Sequence, residues 1–182
     1  MTRYCDDFVV MCRSKREALL ALRSIRAWTE QAGLMLHPTK TRVINIHDSD
    51  GFDFLGYRFQ IDKKHSRGLI RQPRGKSLGK FRDKVRMLTK RNNGHSMSTI
   101  IAKLNAVIRG FFEYFKHCHQ WTFQTLDGWI RMRLRSILRR RKHRKGRGRG
   151  NDHQRWPNAY FRDLGLLFMA EAWASLYQSH HG

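Results

Sequence analysis

The sequence predicts an α+β fold in two parts, a small mixed segment followed by a helical one. Short apolar runs between turn residues, with one amphipathic stretch among them, occupy residues 1–74. Beyond residue 75, apolar side chains recur with helical spacing in three successive stretches. Since 40% of the 182 residues are hydrophobic, the chain can bury a modest core, and a folded rather than a disordered protein is expected.

The first segment predicts two strands around a turn and then a helix. Residues 4–13 predict short strands on either side of Cys5-Asp6-Asp7, which places both carboxylates in the turn. Ser14 is a predicted helix N-cap because Glu17 follows three residues later, and a glycine at residue 33 ends that helix. Three further runs predict strands, namely residues 34–36, 43–46 and 52–61, the last interrupted by Gly56.

The second segment predicts three amphipathic helices that share a core. Ser98 is the predicted cap of the second helix, and Asp127 falls in the predicted first turn of the third, where a carboxylate is favourable. Residues 164–177 predict a last helix, capped by Asn158. The apolar residues with helical spacing lie within residues 78–88, 101–115 and 126–137.

A change of composition near Gln72 separates the two segments. Pro73 holds the residue before it in an extended conformation and Gly75 frees the backbone, as in a short linker. Residues 1–74 contain 14 Lys and Arg against 8 Asp and Glu, whereas residues 75–182 contain 23 against 6. Two domains with these bounds are therefore expected, and the second carries most of the positive charge.

The net charge indicates what kind of partner the chain binds. Thirty-seven Lys and Arg against fourteen Asp and Glu give a formal charge of +23, which favours a polyanion, and nucleic acid is the first candidate. No apolar run of about eighteen residues and no lipidation signal supports a membrane partner. Three cysteines without a close CxxC pair argue against a disulfide framework and favour a reducing compartment.

A dense run of basic residues ends the third predicted helix and continues beyond it. A merely solvated surface usually mixes charges of both signs, so this run predicts contact with nucleic-acid phosphates, with strong salt dependence and little base specificity. Its glycines predict a flexible end that orders on binding. The run comprises Arg131, Arg133, Arg135, Arg139, Arg140, Arg141, Lys142, Arg144, Lys145, Arg147 and Arg149, with Gly146 and Gly148 between its last members and Gly150 directly after it.

Four motifs follow one another in the first segment: YCDD with FVVMC, the predicted helix, LMLHPTKTRV, and GFDFLGYRF. This series resembles the last palm motifs of bacterial group II intron reverse transcriptases. GKFRDKVRMLTKRN, IIAKLNAVIRGFFEYF and LDGWIRMRLRSILRRRKHR are similar to the maturase-specific domain, which forms the thumb in this family. The resemblance implies a partial reverse-transcriptase palm, of short antiparallel strands plus a helix, in residues 1–74, followed by a basic α-helical thumb or maturase domain in residues 75–182.

The resemblance also implies roles for individual residues. Asp6 and Asp7 are implied to be catalytic and to bind Mg²⁺, which carries nucleotidyl transfer through oxygen ligands. Taken alone, two adjacent Asp residues are typical of a solvated turn. The implied nucleotide and primer region comprises Tyr4, Lys40, Phe54, Leu55, Gly56 and Tyr57. Within the basic run, the predicted RNA-binding residues are Arg131, Arg135, Arg139, Arg140, Arg141, Lys142, Arg144 and Lys145.

Three functions stay open at this point. The chain is an RNA-directed DNA polymerase whose missing palm comes from another chain, a stand-alone non-catalytic RNA-binding maturase module, or an inert intron remnant. The motif series begins at the YxDD box, without the family's fingers and first catalytic Asp, so we expect no DNA synthesis by this chain alone. The expected partners are group II intron RNA and RNA–DNA duplex, with an upstream palm and fingers fragment or a second copy of the chain, in the bacterial cytoplasm.

Overall fold

The computed structural model describes residues 1–48, 51–62 and 68–178. They form an α+β structure with two small sheets and a larger helical part, so the predicted fold class is confirmed. The chain divides into two compact units, Met1–Ile70 and Arg71–Gly182. Strands and one long helix make up the first unit, and helices make up most of the second.

A tight β-hairpin begins the first unit. Strands β1 (Thr2–Tyr4) and β2 (Asp7–Val9) pair antiparallel, with Tyr4 opposite Asp7, which leaves Cys5-Asp6 as a two-residue turn. Cys5 has a left-handed φ of 52°, a conformation that costs a non-glycine residue about 1–2 kcal/mol. The predicted pair of strands around the carboxylates is confirmed, with Asp7 already in the second strand.

Helix α1 (Lys15–Gln31) begins and ends as its sequence predicts. Ser14 Oγ accepts a hydrogen bond from the Glu17 amide at 3.2 Å, and Glu17 Oε2 accepts one from the Arg13 amide at 2.9 Å. These reciprocal bonds fix the chain direction at the helix start. Gly33 follows the helix with a φ of 69°, where the absence of a Cβ atom lets the backbone turn away.

The second sheet contains a complete hairpin. Leu55 and Gly56 form its turn with φ values of 46° and 78°, positive at both positions as in a type I′ turn. Gly56 thus makes the turn between two strands instead of interrupting one, which corrects the prediction for residues 52–61. In spatial order the strands are β3 (Phe52–Phe54), β4 (Tyr57–Ile61) and β5 (Leu69–Pro73).

Two predicted strands do not form. Residues 34–36 and 43–46 contain no strand, and their apolar side chains are at most half-buried, with Leu34 58% and Met35 94% exposed. Strand preference acts mainly through packing against neighbouring side chains. Because no side chain of these runs is fully buried, little packing supports the preference that predicted the strands.

The second unit contains the three amphipathic helices that the periodicity predicts, so this prediction is confirmed. Gln72 and Pro73, predicted as a linker, belong to β5 instead, and Arg74 is the N-cap of the first of these helices. The helices of this unit are α2 (Gly75–Leu88), α3 (Met97–Phe115), α4 (Gln120–Arg141), α5 (Asp152–Arg155), α6 (Asn158–Asp163) and α7 (Met169–Gln178).

The core of the second unit lies along α3 and α4. Phe81 of α2 stacks on Phe111 of α3 with ring centroids 4.1 Å apart, and Phe112 meets Phe123 of α4 edge-on at 5.2 Å. Each such side chain contributes about 1.5–3 kcal/mol through burial. The helix-spaced aliphatic residues that are at most 2% exposed include Leu104, Ile108, Leu126, Ile130, Leu134 and Ile137.

Two predicted caps and one predicted first-turn residue lie elsewhere. The side chain of Ser96, not of Ser98, accepts the capping hydrogen bond at the start of α3. Asn158 is the first residue of α6 and does not cap the last helix. Asp127 lies two turns inside α4, where its Oδ1 and Oδ2 accept hydrogen bonds from the Met169 and Ala170 amides at 3.2 and 2.9 Å. Asp127 therefore holds the start of α7, a contact between residues that are far apart in sequence.

Because Asp127 is buried, we expect the free energy of unfolding to depend on pH. Desolvation raises the pKa of Asp127 from 3.8 to about 6, although the hydrogen bonds from the Ala170 and Met169 amides and the charge of Arg131 oppose the rise. The native state therefore keeps this proton at pH values where the unfolded chain has released it. The contribution of Asp127 to the free energy of unfolding should fall by up to about 3 kcal/mol as the pH rises from about 4 to above 6.

Urea titrations of the wild type and Asp127→Asn at several pH values test this expectation. The amide does not titrate, so the free energy of unfolding of the variant should fall less steeply than that of the wild type over this range. The slopes are compared rather than the absolute stabilities, because an amide also changes the hydrogen bonds to α7. Parallel pH profiles would contradict the assignment of a raised pKa to Asp127.

Candidate nucleic-acid interface

The first candidate site is the turn of the β1–β2 hairpin. Asp6 lies in the turn and Asp7 is the first residue of β2, and both are exposed. Tyr4, opposite Asp7, is 63% exposed. The hairpin therefore brings three of the predicted catalytic and nucleotide-site residues together at one end.

The two carboxylates are of the chemical type that magnesium ligand sets use. Mg²⁺ is commonly held by one or two carboxylates, with water and substrate phosphate oxygens as the remaining ligands. Asp6 and Asp7 offer hard oxygen donors of this kind from adjacent residues. Within residues 1–48, 51–62 and 68–178, no group of three or more His, Cys, Asp or Glu residues could hold a metal ion.

The other predicted nucleotide and primer residues lie on a separate hairpin and in one turn. Phe54 and Tyr57 face each other across β3 and β4, with Leu55 and Gly56 in the turn between them. Lys40 is exposed in a turn closed by a 3.0 Å hydrogen bond from the Thr41 amide to the His37 carbonyl. These four hairpin residues are thus brought together, while Lys40 belongs to neither sheet.

The second candidate site is the basic run, whose members the structure divides by their contacts. Arg135 is only 3% exposed. Its Nε donates to the Trp156 carbonyl at 2.9 Å, one terminal nitrogen donates to Asn158 Oδ1 at 3.0 Å, and its guanidinium lies 5.2 Å from the Phe161 ring centroid. Burial lowers the pKa of Arg135. The prediction that Arg135 binds RNA is corrected, because the residue is buried and two of its donors are used inside the domain.

Three further arginines hold backbone segments in place. Arg133 donates to Thr89 Oγ1 at 2.5 Å and to the Thr89 carbonyl at 3.1 Å, which satisfies groups at the end of α2. Arg139 Nε donates to the Lys145 carbonyl at 2.7 Å. Arg141 donates to the carbonyls of Asn93 and His95. These side chains fix α4 to its surroundings with part of their hydrogen-bonding capacity.

The loop after α4 is pinned to the helix instead of being free. Buried Asp152 forms a 2.8 Å ion pair with Arg139 and accepts a 3.1 Å hydrogen bond from the Arg149 amide. Desolvation alone would raise the pKa of Asp152, but these two hydrogen bonds and the neighbouring positive charge outweigh it and lower the pKa. The Gly148 amide donates to Ser136 Oγ at 3.2 Å. The loop thus has several anchors, contrary to the flexible end that its glycines predict.

Gly148 shows how closely this loop approaches α4. A Cβ atom at Gly148 would lie 2.5 Å from Arg135 Cβ and 3.4 Å from the Met132 carbonyl oxygen. The close approach requires glycine at this position, independently of any backbone freedom. The glycine therefore allows the loop to dock.

With the loop docked on α4, part of the basic run faces solvent and part does not. Arg131 belongs to the second part, because it is half-buried and its guanidinium lies 5.0 Å from the Phe168 ring centroid. The exposed members of the run without a side-chain hydrogen bond or ion pair to a described residue form what we call the basic surface, namely Arg140, Lys142, Arg144, Lys145, Arg147 and Arg149.

A row of lysines on α2 escaped the sequence analysis. Lys76, Lys80 and Lys84 are exposed and follow one another at intervals of four residues, so they share one helix face. Like charges at this spacing repel one another and destabilise a helix. Phosphates along the row would offset this repulsion. Arg86, on the same helix, and Arg133 lie 5.8 and 5.5 Å from the Trp129 ring centroid. The four-residue spacing was the signal that could have revealed this row.

Comparisons with known families give two matches along the chain. A family model described as reverse transcriptase (RNA-dependent DNA polymerase) matches residues 1–59, and one described as group II intron, maturase-specific domain matches residues 78–156. The chain belongs to the group II intron reverse transcriptase/maturase family. No curated protein matches the chain.

The family matches and the candidate sites coincide along the chain. The Asp6-Asp7 turn lies within the reverse-transcriptase match, and the whole basic surface lies within the maturase match. In this intron-encoded reverse transcriptase/maturase, no described helix has an apolar stretch long enough to cross a bilayer.

Proposed function

We propose that the basic surface binds the phosphate backbone of group II intron RNA, and of an RNA–DNA duplex, in the bacterial cytoplasm. The observation that carries this proposal is six exposed cations whose side chains make no hydrogen bond or ion pair to a described residue, held on a pinned loop and helix end inside the maturase match. Lysine and arginine side chains in such a position are suited to phosphate contacts that position RNA without reading its bases.

The pinned loop supports binding in a second way. A flexible basic segment loses conformational entropy when it binds, whereas Asp152, Gly148 and Arg139 already hold this one against α4. Arg139 and Arg141 add positive charge beside the surface while they hold backbone carbonyls. Arg131 contributes charge from a half-buried position on the same helix.

Protection of lysines from chemical acetylation tests this proposal. Lys142 and Lys145 should react more slowly when the protein is saturated with intron RNA, because phosphates cover their amines. Lys15, an exposed residue at the start of α1, serves as the reference and should change less. Mass spectrometry of the modified peptides gives the rates. Undiminished reactivity of Lys142 and Lys145 under saturating RNA would contradict the proposal.

A second proposed function rests on the hairpin turn. Asp6 and Asp7 would hold Mg²⁺, and the bound ion would supply the charge neutralisation that nucleotidyl transfer requires in RNA-directed DNA synthesis. The specific support is the exposure of both carboxylates at one turn within the reverse-transcriptase match. On the neighbouring hairpin, Phe54 to Tyr57 would contact primer, and Lys40 and Tyr4 the nucleotide. An upstream palm and fingers fragment, or a second copy of the chain, is the proposed protein partner for this activity.

Iron-directed cleavage reports metal binding without requiring polymerase activity. With added hydrogen peroxide as oxidant and ascorbate as reductant, Fe²⁺ bound in place of Mg²⁺ reduces peroxide to hydroxyl radicals locally, so the wild-type backbone should be cut near residues 4–8. The variant Asp6→Asn, Asp7→Asn should lose this cut, and added Mg²⁺ should suppress it in the wild type. Cleavage at the turn that is the same in both proteins would rule out these carboxylates as the ligands.

A further inference from the structure

A cleft in the second unit lies beyond the basic surface. It is open to solvent, has a volume of about 250 Å³, and lies between the end of α2, the following loop and the first turns of α3. Sites for drug-sized ligands occupy about 300–1,000 Å³, so this cleft suits a smaller group. Neither candidate site described above uses it.

One wall of the cleft is apolar. It is made of Met87, Leu88 and Ile100. Ile100 belongs to the core, whereas Met87 is 64% exposed and therefore open to contact with a ligand. The polarizable thioether of methionine packs favourably against flat aromatic groups. The wall therefore offers a planar ligand a surface to lie on.

The opposite rim is polar and preformed. Asn93 Nδ2 donates to the Leu88 carbonyl at 2.9 Å, and Asn93 Oδ1 accepts from the His95 amide at 3.0 Å, so the loop keeps its shape without a ligand. The neighbouring Asn92 side chain makes no hydrogen bond to a described residue and presents both a donor and an acceptor at the cleft. His95 supplies an exposed ring at the same rim.

The charge of the cleft favours an anionic ligand. Lys90 and Lys103 line it, Lys103 Nζ lies 3.4 Å from His95 Nε2, and none of its described lining residues is acidic. Arg141, next to Arg140 of the basic surface, donates to the His95 carbonyl. The cleft is therefore joined directly to the end of α4 that carries the basic surface.

We propose that this cleft holds one unpaired nucleotide of the RNA that the basic surface contacts. The base would lie against Met87, the free Asn92 amide would hydrogen-bond to its edge, and Lys90 and Lys103 would contact the flanking phosphates. Paired bases keep their faces stacked and their edges engaged, so duplex RNA cannot enter in this way. The inference rests on the proposed RNA binding and adds recognition of an unpaired base to it.

Two synthetic RNA hairpins test the inference, one fully paired and one with a single bulged nucleotide. The wild type should bind the bulged hairpin about 10-fold more tightly, as expected for one stacked base. The variant Asn92→Ala, Lys103→Ala should lose most of this preference while its affinity for the paired hairpin changes little. The variant Lys142→Gln, Lys145→Gln is the matched control. It should lower the affinity for both hairpins by the same factor and leave the ratio of the two affinities unchanged.

The outcomes separate the two proposals. Equal wild-type affinity for the two hairpins, or a preference that Asn92→Ala, Lys103→Ala leaves intact, would overturn the cleft and leave the basic surface standing. Failure of the wild type to bind either hairpin at low salt would overturn the proposed RNA binding, and the cleft with it. All the substituted side chains are exposed, so the variants should fold normally.

Discussion

Replacing Arg135 by Ala should destabilise the helical unit by about 2–4 kcal/mol and leave the basic surface in place. The substitution removes two hydrogen bonds from a buried guanidinium and leaves the Trp156 carbonyl and Asn158 Oδ1 without these donors. It also removes the contact with the Phe161 ring and leaves a cavity where the Arg135 side chain was. Urea unfolding followed by circular dichroism measures the change in the free energy of unfolding.

Arg140→Ala is the matched control for this prediction. It removes the same side chain from the same helix, but Arg140 is exposed and makes no side-chain hydrogen bond to a described residue. Its free energy of unfolding should stay within about 0.5 kcal/mol of the wild type. Arg135→Met, which keeps volume but not the hydrogen bonds, should fall between the two. Equal stability of Arg135→Ala and Arg140→Ala would show that Arg135 is not a structural residue.

Removing four charges from the basic surface should weaken RNA binding by roughly 10- to 100-fold at moderate salt. The variant carries Arg140→Gln, Lys142→Gln, Arg144→Gln and Lys145→Gln. Each phosphate contact releases counterions, so the lost contacts reduce the entropic gain of binding. Unfolding should change little, because these side chains make no hydrogen bonds to other described residues. Fluorescence anisotropy with labelled intron RNA measures the affinity.

A variant with four neutral substitutions on α1 controls for net charge. Lys15, Arg16, Arg23 and Arg26 are exposed on that helix, outside the maturase match, and their replacement by Gln removes the same total charge. If charge alone determined affinity, the two variants would bind RNA equally weakly. A larger loss from the basic-surface variant than from the α1 variant is expected, because phosphate contacts act over distances near the Debye length of about 10 Å.

The helical unit was largely predictable from sequence, whereas the first unit was predictable only in part. Side chains such as Leu104, Ile108 and Leu134 recur at helical spacing because they share one core, so periodicity reports their burial directly. The apolar residues near Leu34 and Val43 have strand preference, yet they stay exposed and unpaired. The strand preference of these residues did not produce a strand, because no neighbouring side chains pack fully against them.

The basic run shows why the sites were harder to predict than the helices. Composition showed that the run favours a polyanion, but not which cations are free. Arg135 is engaged by Trp156 and Asn158, more than twenty residues away in sequence, and Arg139 by Asp152. No local spacing encodes such partners. The reverse holds for Lys76, Lys80 and Lys84, whose regular spacing was visible in the sequence.

The salt dependence of RNA binding reports whether the basic surface contacts phosphates. The logarithm of the association constant of the wild type should fall linearly with the logarithm of the salt concentration. For single-stranded RNA the slope should be smaller in magnitude by about 3 in the variant that lacks the charges of Arg140, Lys142, Arg144 and Lys145. The variant with four substitutions on α1 should keep a slope close to that of the wild type. Identical slopes for the wild type and the basic-surface variant would contradict the assignment of the basic surface to RNA phosphates.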